Sequence, residues 1–292
     1  MTVVAEAKNY QRIVVRSINP VIGAEITGID LRHDIDDPTT SEVKSAIFDN
    51  LVVFFPDQKI TPDEQVAFAR RFGDVPEVPN SMFRVHPDNQ YVSVLENDAK
   101  NPPTVNNWHS DYCFAAQPDF LSILHTQIVP DIGGDTIWVN MYAAYEALSD
   151  KLKAYLSGLQ ATHDFMKLYT RSFKAHLWEG KRLQYMEAAQ REYPPVQHPV
   201  VRTISETGRQ ALFINESFTC DIEGLTEAES ASLLNFLFAH TQTPEFQIRY
   251  QWKPNILAVW DNRATVHYAL ADYHPQHRLI HRVTVLNHEV PV

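Results

Sequence analysis

Apolar positions along the 292 residues gather in short runs bordered by turn-forming residues, and long helical stripes are few. The runs "RIVVRS" (12–17), "AEITGI" (24–29), "LVVFF" (51–55), "YVSVL" (91–95) and "FLSILHTQIV" (120–129) are rich in Val, Ile, Phe and Tyr. So are "QALFIN" (210–215), "FQIRYQW" (246–252), "ILAVW" (256–260) and "RVTVL" (282–286), and all nine are predicted as strands. Helices fall between them. Thr61 supplies an N-cap, Pro62 sits at the first helical position and Glu64 completes a capping box ahead of "VAFARRF"; Thr226 and Glu229 open "SASLLNFLFAH" in the same way. The stretch "MYAAYEALSDKLKAYLSGL" (141–159) predicts one or two further helices, broken near Ser149. No period of 20 to 50 residues repeats and no Gly/Ser-rich linker appears, so residues 1–292 read as one domain with a flexible tail at 1–10. Residues 165–198 have weak periodicity and a Tyr-Pro-Pro stop at 193–195, which suits a surface excursion or lid. Many strands with interspersed helices predict a mostly β fold with flanking helices, a sandwich or jelly roll.

Bulk properties narrow the function classes. No apolar run approaches the roughly 20 residues needed to cross a bilayer, and the first residues lack a basic and then apolar leader, so no membrane association is expected. The net charge of −11 opposes non-specific binding to nucleic acid. Cys113 and Cys220 are too few for a disulfide framework, and a cytoplasmic location is the expectation. An anionic ligand of so acidic a chain must be held by a local Arg or Lys cluster.

Candidate chemistry begins at "NNWHSDYCF" (106–114). With 13 His in the chain a His-x-Asp pair arises by chance about once, and His86-Pro87-Asp88 is such a copy, read as a turn. His109 and Asp111 differ because Trp108, Tyr112 and Phe114 surround them with strand-forming residues, and strand neighbours two apart share a face. A third ligand is offered by "AVWDNRATVHYALADYHPQHRLIHRVTV" (258–285), where a strand ends in the turn Asp261-Asn262-Arg263 and His267 follows. Arg278 and Arg282, four apart, would share a face of a strand. Two histidines and one carboxylate leave about three open positions, the arrangement of non-haem Fe(II) oxygenases. Zinc is the rival, although a closed zinc site would want a fourth ligand and more sulfur than two separated cysteines supply. The four-residue spacing in His274-Pro275-Gln276-His277 holds a proline in a loop and is set aside, and Cys113 reads as a buried, inert thiol.

At these residues the chain resembles the taurine dioxygenase family of Fe(II)- and 2-oxoglutarate-dependent oxygenases. The likeness rests on "GAEITGIDL" (23–31), "LVVFFPDQKITPDEQVAFARRFGD" (51–74), "NNWHSD" (106–111) and "GGDTIWVNMYAAYEALS" (133–149). It continues through "HPVVR" (198–202), "ALFINESFT" (211–219) and "WDNRATVHYALADYHPQHRLIHRVT" (260–284). The resemblance implies a double-stranded β-helix (jelly roll) core and Fe(II) held by His109, Asp111 and His267. It further implies 2-oxoglutarate bound by Arg278 and Thr136, O2 as oxidant, and a homo-oligomer, dimer or tetramer. Arg282 would hold the anionic head of a small organic substrate, with Phe218, Tyr112 and Tyr169 at positions of pocket walls. Val78 and Ser81 stand where the taurine-specific enzymes place a histidine and a tyrosine, which disfavours taurine, because a polar head left unpaired costs about 1–3 kcal/mol per group. The expected reaction is hydroxylation of an alkylsulfonate or alkyl sulfate next to its heteroatom, giving succinate, CO2 and an aldehyde. An aryloxyalkanoate substrate is the alternative within the family. A cupin-like metal-binding protein or zinc hydrolase is the alternative outside it, and would have no use for Arg278 and Thr136.

Overall fold

The computed structural model describes residues 10–79, 83–104, 106–172, 187–188 and 190–292. The strands are β1 (Val14–Ser17), β2 (Ala24–Thr27), β3 (Val52–Phe55), β4 (Arg84–His86), β5 (Asn89–Asn97), β6 (Leu121–Ile128), β7 (Thr136–Asn140) and β8 (Gln160–His163). They continue as β9 (Val196–Pro199), β10 (Val201–Thr203), β11 (Gln210–Leu212), β12 (Thr219–Ile222), β13 (Gln247–Tyr250), β14 (Leu257–Asp261), β15 (Thr265–Ala269) and β16 (Arg278–Val285). An eight-stranded sheet has the order β1-β2-β3-β14-β6-β16-β5-β4, and a three-stranded sheet has the order β13-β7-β15. The remaining strands form a second three-stranded sheet, β12-β8-β9, and the hairpin β10-β11.

The central strands β3, β14, β6 and β16 of the large sheet are buried on both faces, which is why they read as continuous apolar runs and not as alternating ones. Val53 and Phe55 of β3, Leu257 and Val259 of β14, and Val283 and Val285 of β16 join one core. That core is closed by helix α1 (Asp37–Asn50) through Val43, Ala46 and Ile47, and by α2 (Pro62–Arg70) through Val66, Phe68 and Ala69. Val52, Phe54, Ala258, Trp260 and Ile280 point the other way, into a core shared with Trp138, Ile248 and Val266 of the small sheet. The two sheets meet through aromatic rings: Phe54 lies 5.6 Å from Trp138, and Trp138 lies 5.6 Å from Trp260.

Both expected capping boxes form, at Thr61/Glu64 of α2 and at Thr226/Glu229 of α6 (Glu227–Thr241). The 141–159 stretch divides into α3 (Met141–Glu146) and α4 (Asp150–Leu156), with the Ser149 side chain capping α4. Helix α1 was not anticipated. The segment 165–198 opens as α5 (Phe165–Ser172) and closes in β9, while 173–186 and 189 lie outside the described residues. So do residues 1–9 of the expected tail, although the Tyr10 hydroxyl donates to Asp49 at 3.0 Å. Among the described residues no helix is long and apolar enough to cross a membrane.

Candidate metal centre and anion pocket

The segment holding His109 and Asp111 is not a strand, which corrects the sequence reading. His109 makes one isolated bridge with His267, its amide donating to the His267 carbonyl at 3.0 Å and its carbonyl accepting from the His267 amide at 2.7 Å. The chain then turns over 111–114, with Tyr112 at φ +50°, a left-handed conformation that costs a side-chain-bearing residue roughly 1–2 kcal/mol. Asp111 is brought round because its amide donates to Asn262 Oδ1 at 3.4 Å. Of the flanking aromatics that suggested a strand, Tyr112 and Phe114 fill a cluster of their own, with Phe114 5.5 Å from Tyr112 and 4.7 Å from Phe218, while Trp108 packs 5.2 Å from Tyr268.

His267 sits on β15 opposite Trp138, and Ala269 sits opposite Thr136, so Thr136 and His267 project from the same face of the small sheet, toward the large one. Ligand atoms of His109, Asp111 and His267 all lie within 4.8 Å of one another. His109 Nε2 is 3.7 Å from Asp111 Oδ1, and the two imidazole centroids are 4.1 Å apart. His109 Nδ1 lies 2.8 Å from the Asn107 carbonyl, which can only accept, so Nδ1 carries the proton and Nε2 keeps its lone pair for an ion. His267 is driven down to about 3, first by burial and then by the neighbouring His109, and is a neutral imidazole at pH 7, the ligating form.

Behind the carboxylate stands a polar network. Ser122 Oγ donates to Asp111 Oδ2 at 2.6 Å, Asn262 Nδ2 donates to Ser122 Oγ at 2.9 Å, and Trp260 Nε1 donates to Asn262 Oδ1 at 2.8 Å. Ser110 Oγ donates to the Asn262 carbonyl at 2.6 Å. Burial opposes charge on Asp111, but the Arg282 guanidinium, the two imidazoles and the Ser122 hydroxyl overcome it and hold the carboxyl at about 2. Ser122 and Asn262 escaped the sequence reading. The signal for Ser122 was a polar residue inside a strand buried on both faces; Asn262 was hidden in what looked like an ordinary turn.

Arg278 and Arg282 lie on β16 with Ile280 between them, on the face turned toward the small sheet. Arg282 Nη1 donates to Asp111 Oδ1 at 3.5 Å, its guanidinium lies 4.3 Å from the Phe83 ring centroid, and its Nε has no partner. Arg278 is buried, has an unpartnered Nε and is in no ion pair among the described residues; burial lowers its pKa. Its hydrogen-bond interaction is with Tyr273, and its free Nε marks it as a seat for an incoming anion. Thr136 Oγ1 accepts from Trp252 Nε1 at 3.0 Å, which leaves the threonine's own proton to donate.

A cavity of about 280 Å³ reaches the three converging side chains through Arg282, which donates to Asp111, and its wall also includes Val78, Phe83, Tyr112, Asp119 and Tyr193. Phe218 is not in that wall but packs behind it on Phe114. Ser81 and the Tyr169 side chain lie outside the described residues. Cys113 offers no fourth ligand: it is buried, accepts from Asn215 Nδ2 at 3.0 Å, and burial pushes its thiol up to about 12.

The chain is similar to several known proteins. The chain is 33% identical over 278 residues, 94% of its length and 85% of the relative's, to an alkylsulfatase of Acinetobacter baylyi. It is 34% identical over 279 residues, 94% of its length and 90% of the relative's, to an alpha-ketoglutarate-dependent sulfate ester dioxygenase of Pseudomonas putida. The crystal structure of a taurine dioxygenase from Burkholderia xenovorans superposes with a TM-score of 0.81 at 32% identity, over 97% of this chain and 91% of that one. Residues 15–284 match the model of the family described as "Taurine catabolism dioxygenase TauD, TfdA family", a span that takes in all three converging side chains and both arginines. The chain therefore belongs to the TauD/TfdA dioxygenase family.

Proposed function

We propose that this single-domain chain, built on a double-stranded β-helix (jelly roll) core, is an Fe(II)- and 2-oxoglutarate-dependent dioxygenase. Its substrate is a small organic anion, a sulfate ester or sulfonate, hydroxylated on the carbon next to the heteroatom. The observation that carries the reading is the convergence of two imidazoles and one carboxylate within 4.8 Å, with unpartnered arginine nitrogens at hand. The donor set fits Fe(II), because it leaves neighbouring positions open for cosubstrate and O2. A closed zinc site would need a fourth donor, and Cys113 is committed to Asn215.

His109, Asp111 and His267 would hold the iron, and the bound metal would supply O2 activation for oxidising one C–H bond, with 2-oxoglutarate as the co-reductant that ends as succinate and CO2. Arg278 takes the distal carboxylate of the oxoacid in its planar fork, and Thr136 adds its hydroxyl proton. Ser122 and Asn262 fix the Asp111 carboxylate so that it approaches the ion from one direction. Arg282 seats the anionic head, and the aromatic and aliphatic wall formed by Phe83, Tyr112 and Val78 packs the chain and excludes water. A carbon that carries both the new hydroxyl and a sulfate oxygen then collapses to an aldehyde and free sulfate.

The test is a succinate-release screen with hexyl sulfate, hexanesulfonate, taurine and phenoxyacetate. Hexyl sulfate or hexanesulfonate is expected to stimulate release most and taurine least. If phenoxyacetate leads instead, the aryloxyalkanoate alternative replaces this substrate. If no anion stimulates release, and anaerobic protein shows no visible charge-transfer band with Fe(II) and 2-oxoglutarate, the dioxygenase reading fails.

A further inference from the structure

Four carboxylates are buried among the described residues, Asp111, Asp119, Asp135 and Asp261. Three have an arginine: Arg282 at 3.5 Å from Asp111, Arg249 at 2.7 Å from Asp135, and Arg263 at 2.9 Å from Asp261. Asp119 has none. It is 4% exposed, is in no ion pair among the described residues, and its Oδ2 has no hydrogen-bond partner. A buried polar group without a partner is a standing cost to the fold, and an ionised one a larger cost still. Asp119 is also part of the wall of the cavity that holds Arg282 and Tyr112. The one unpaired buried carboxyl among the described residues therefore faces the place where a substrate anion is expected.

We infer that Asp119 is a second reader of the substrate's anionic head, donating a hydrogen bond from its carboxyl group to an oxyanion that Arg282 holds; the inference rests on the reading of Arg282 given above. The protonation needed for such a donor is what the surroundings impose. Burial foremost, and then the charge of Asp111, raise the Asp119 pKa well above the ordinary carboxylate value, against the weaker pull of Arg282. An anion entering the cavity raises it further, so donor and ligand reinforce each other. Arg282 keeps capacity for that anion, since its contact with Asp111 is long and its Nε is free.

The pairing of donors also sorts substrates. An arginine fork uses two oxygens of an oxyanion. A planar carboxylate then offers only the remaining lone pairs of those two oxygens, in the plane of the fork, whereas a sulfate monoester or sulfonate presents a third oxygen out of that plane for Asp119. The pocket should favour sulfur oxyanions over carboxylates because of Asp119 and not because of Arg282 alone.

The experiment is calorimetric titration of anaerobic protein, loaded with Fe(II) and 2-oxoglutarate, with hexyl sulfate and with heptanoate, in wild type, Asp119→Ala, Asp119→Asn and Arg282→Ala. Asp119→Ala is expected to weaken hexyl sulfate about fivefold or more while heptanoate changes by less than about twofold. Asp119→Asn, whose amide still donates, is expected to recover most of that loss, and the aerobic KM for hexyl sulfate should move more than kcat. Melting curves establish that both variants fold, and the asparagine keeps the shape of the side chain. Hexyl sulfate binding unchanged in Asp119→Ala, equal weakening of both probes, or an asparagine variant as poor as the alanine one overturns the inference. Arg282→Ala should weaken both probes; if wild type binds neither, or Arg282→Ala changes neither, the underlying reading of the anion site fails, and this inference with it.

Discussion

Replacing Ser122 by Ala removes one oxygen from a strand buried on both faces, and its consequence can be worked from the network around Asp111. The lost bond, Ser122 Oγ to Asp111 Oδ2 at 2.6 Å, is a hydrogen bond to a charged acceptor, a class that contributes about 1.5–3 kcal/mol. Asn262 Nδ2, 2.9 Å from the same oxygen, loses its acceptor too. The carboxylate is then held by Arg282 and the imidazoles alone, its pKa rises, and its orientation toward the ion loosens. If the whole effect appears in metal affinity, 1.5–3 kcal/mol corresponds to roughly 10- to 150-fold, in line with the 10- to 100-fold expected when an outer partner of a metal ligand is removed. Anaerobic titration of Fe(II) into Ser122→Ala and wild type, in the presence of 2-oxoglutarate, measures this. Ser110→Ala is the internal comparison, since that hydroxyl donates to the Asn262 backbone at 2.6 Å and does not touch Asp111. An Fe(II) affinity for Ser122→Ala within about twofold of wild type would refute the claim that this network positions Asp111.

Arg278→Ala should raise the KM for 2-oxoglutarate roughly 10- to 100-fold, the loss of a charge-assisted fork, whereas Arg282→Ala should act on the organic substrate; equal effects of both on 2-oxoglutarate would undo the assignment. Acid should destabilise the fold through His163, which burial above all, with His198 next, drives down to about 3. The folded state then refuses a proton that the unfolded chain accepts below its value of about 6.5, so stability is complete above that pH and falls by up to about 1.4 kcal/mol per unit as pH drops toward 3. His163→Gln should flatten the dependence of the urea midpoint between pH 6.5 and 4.5, and identical slopes would contradict this origin. Thr226→Ala breaks the capping box of α6, in which the Glu229 carboxylate accepts from the Thr226 amide at 2.9 Å. It should cost about 1 kcal/mol and lower Tm by about 2 °C, with activity at low temperature unaltered.

The chain's own residues were enough for everything that depends on near neighbours. The strands around Val53, Val259 and Val283 follow from β-branched and aromatic runs, and both capping boxes from a Thr and a Glu three apart, because propensity and capping act over one or two turns of chain. The three converging side chains and the two arginines were recognisable because residue types and order along a family pattern survive in sequence. What only the folded molecule decided was direction. His109 and Asp111 meet through a single bridge to His267 and a hydrogen bond from the Asp111 amide to Asn262, some 150 residues away, and not through strand alternation. Ser122 and Asp119 differ in sequence only as polar residues near a strand, yet one is bonded to Asp111 and the other is left unpaired in a cavity wall. Whether a buried polar group is satisfied depends on partners from distant strands. The register of β6, β14 and β16 sets those partners, and local sequence carries little trace of it.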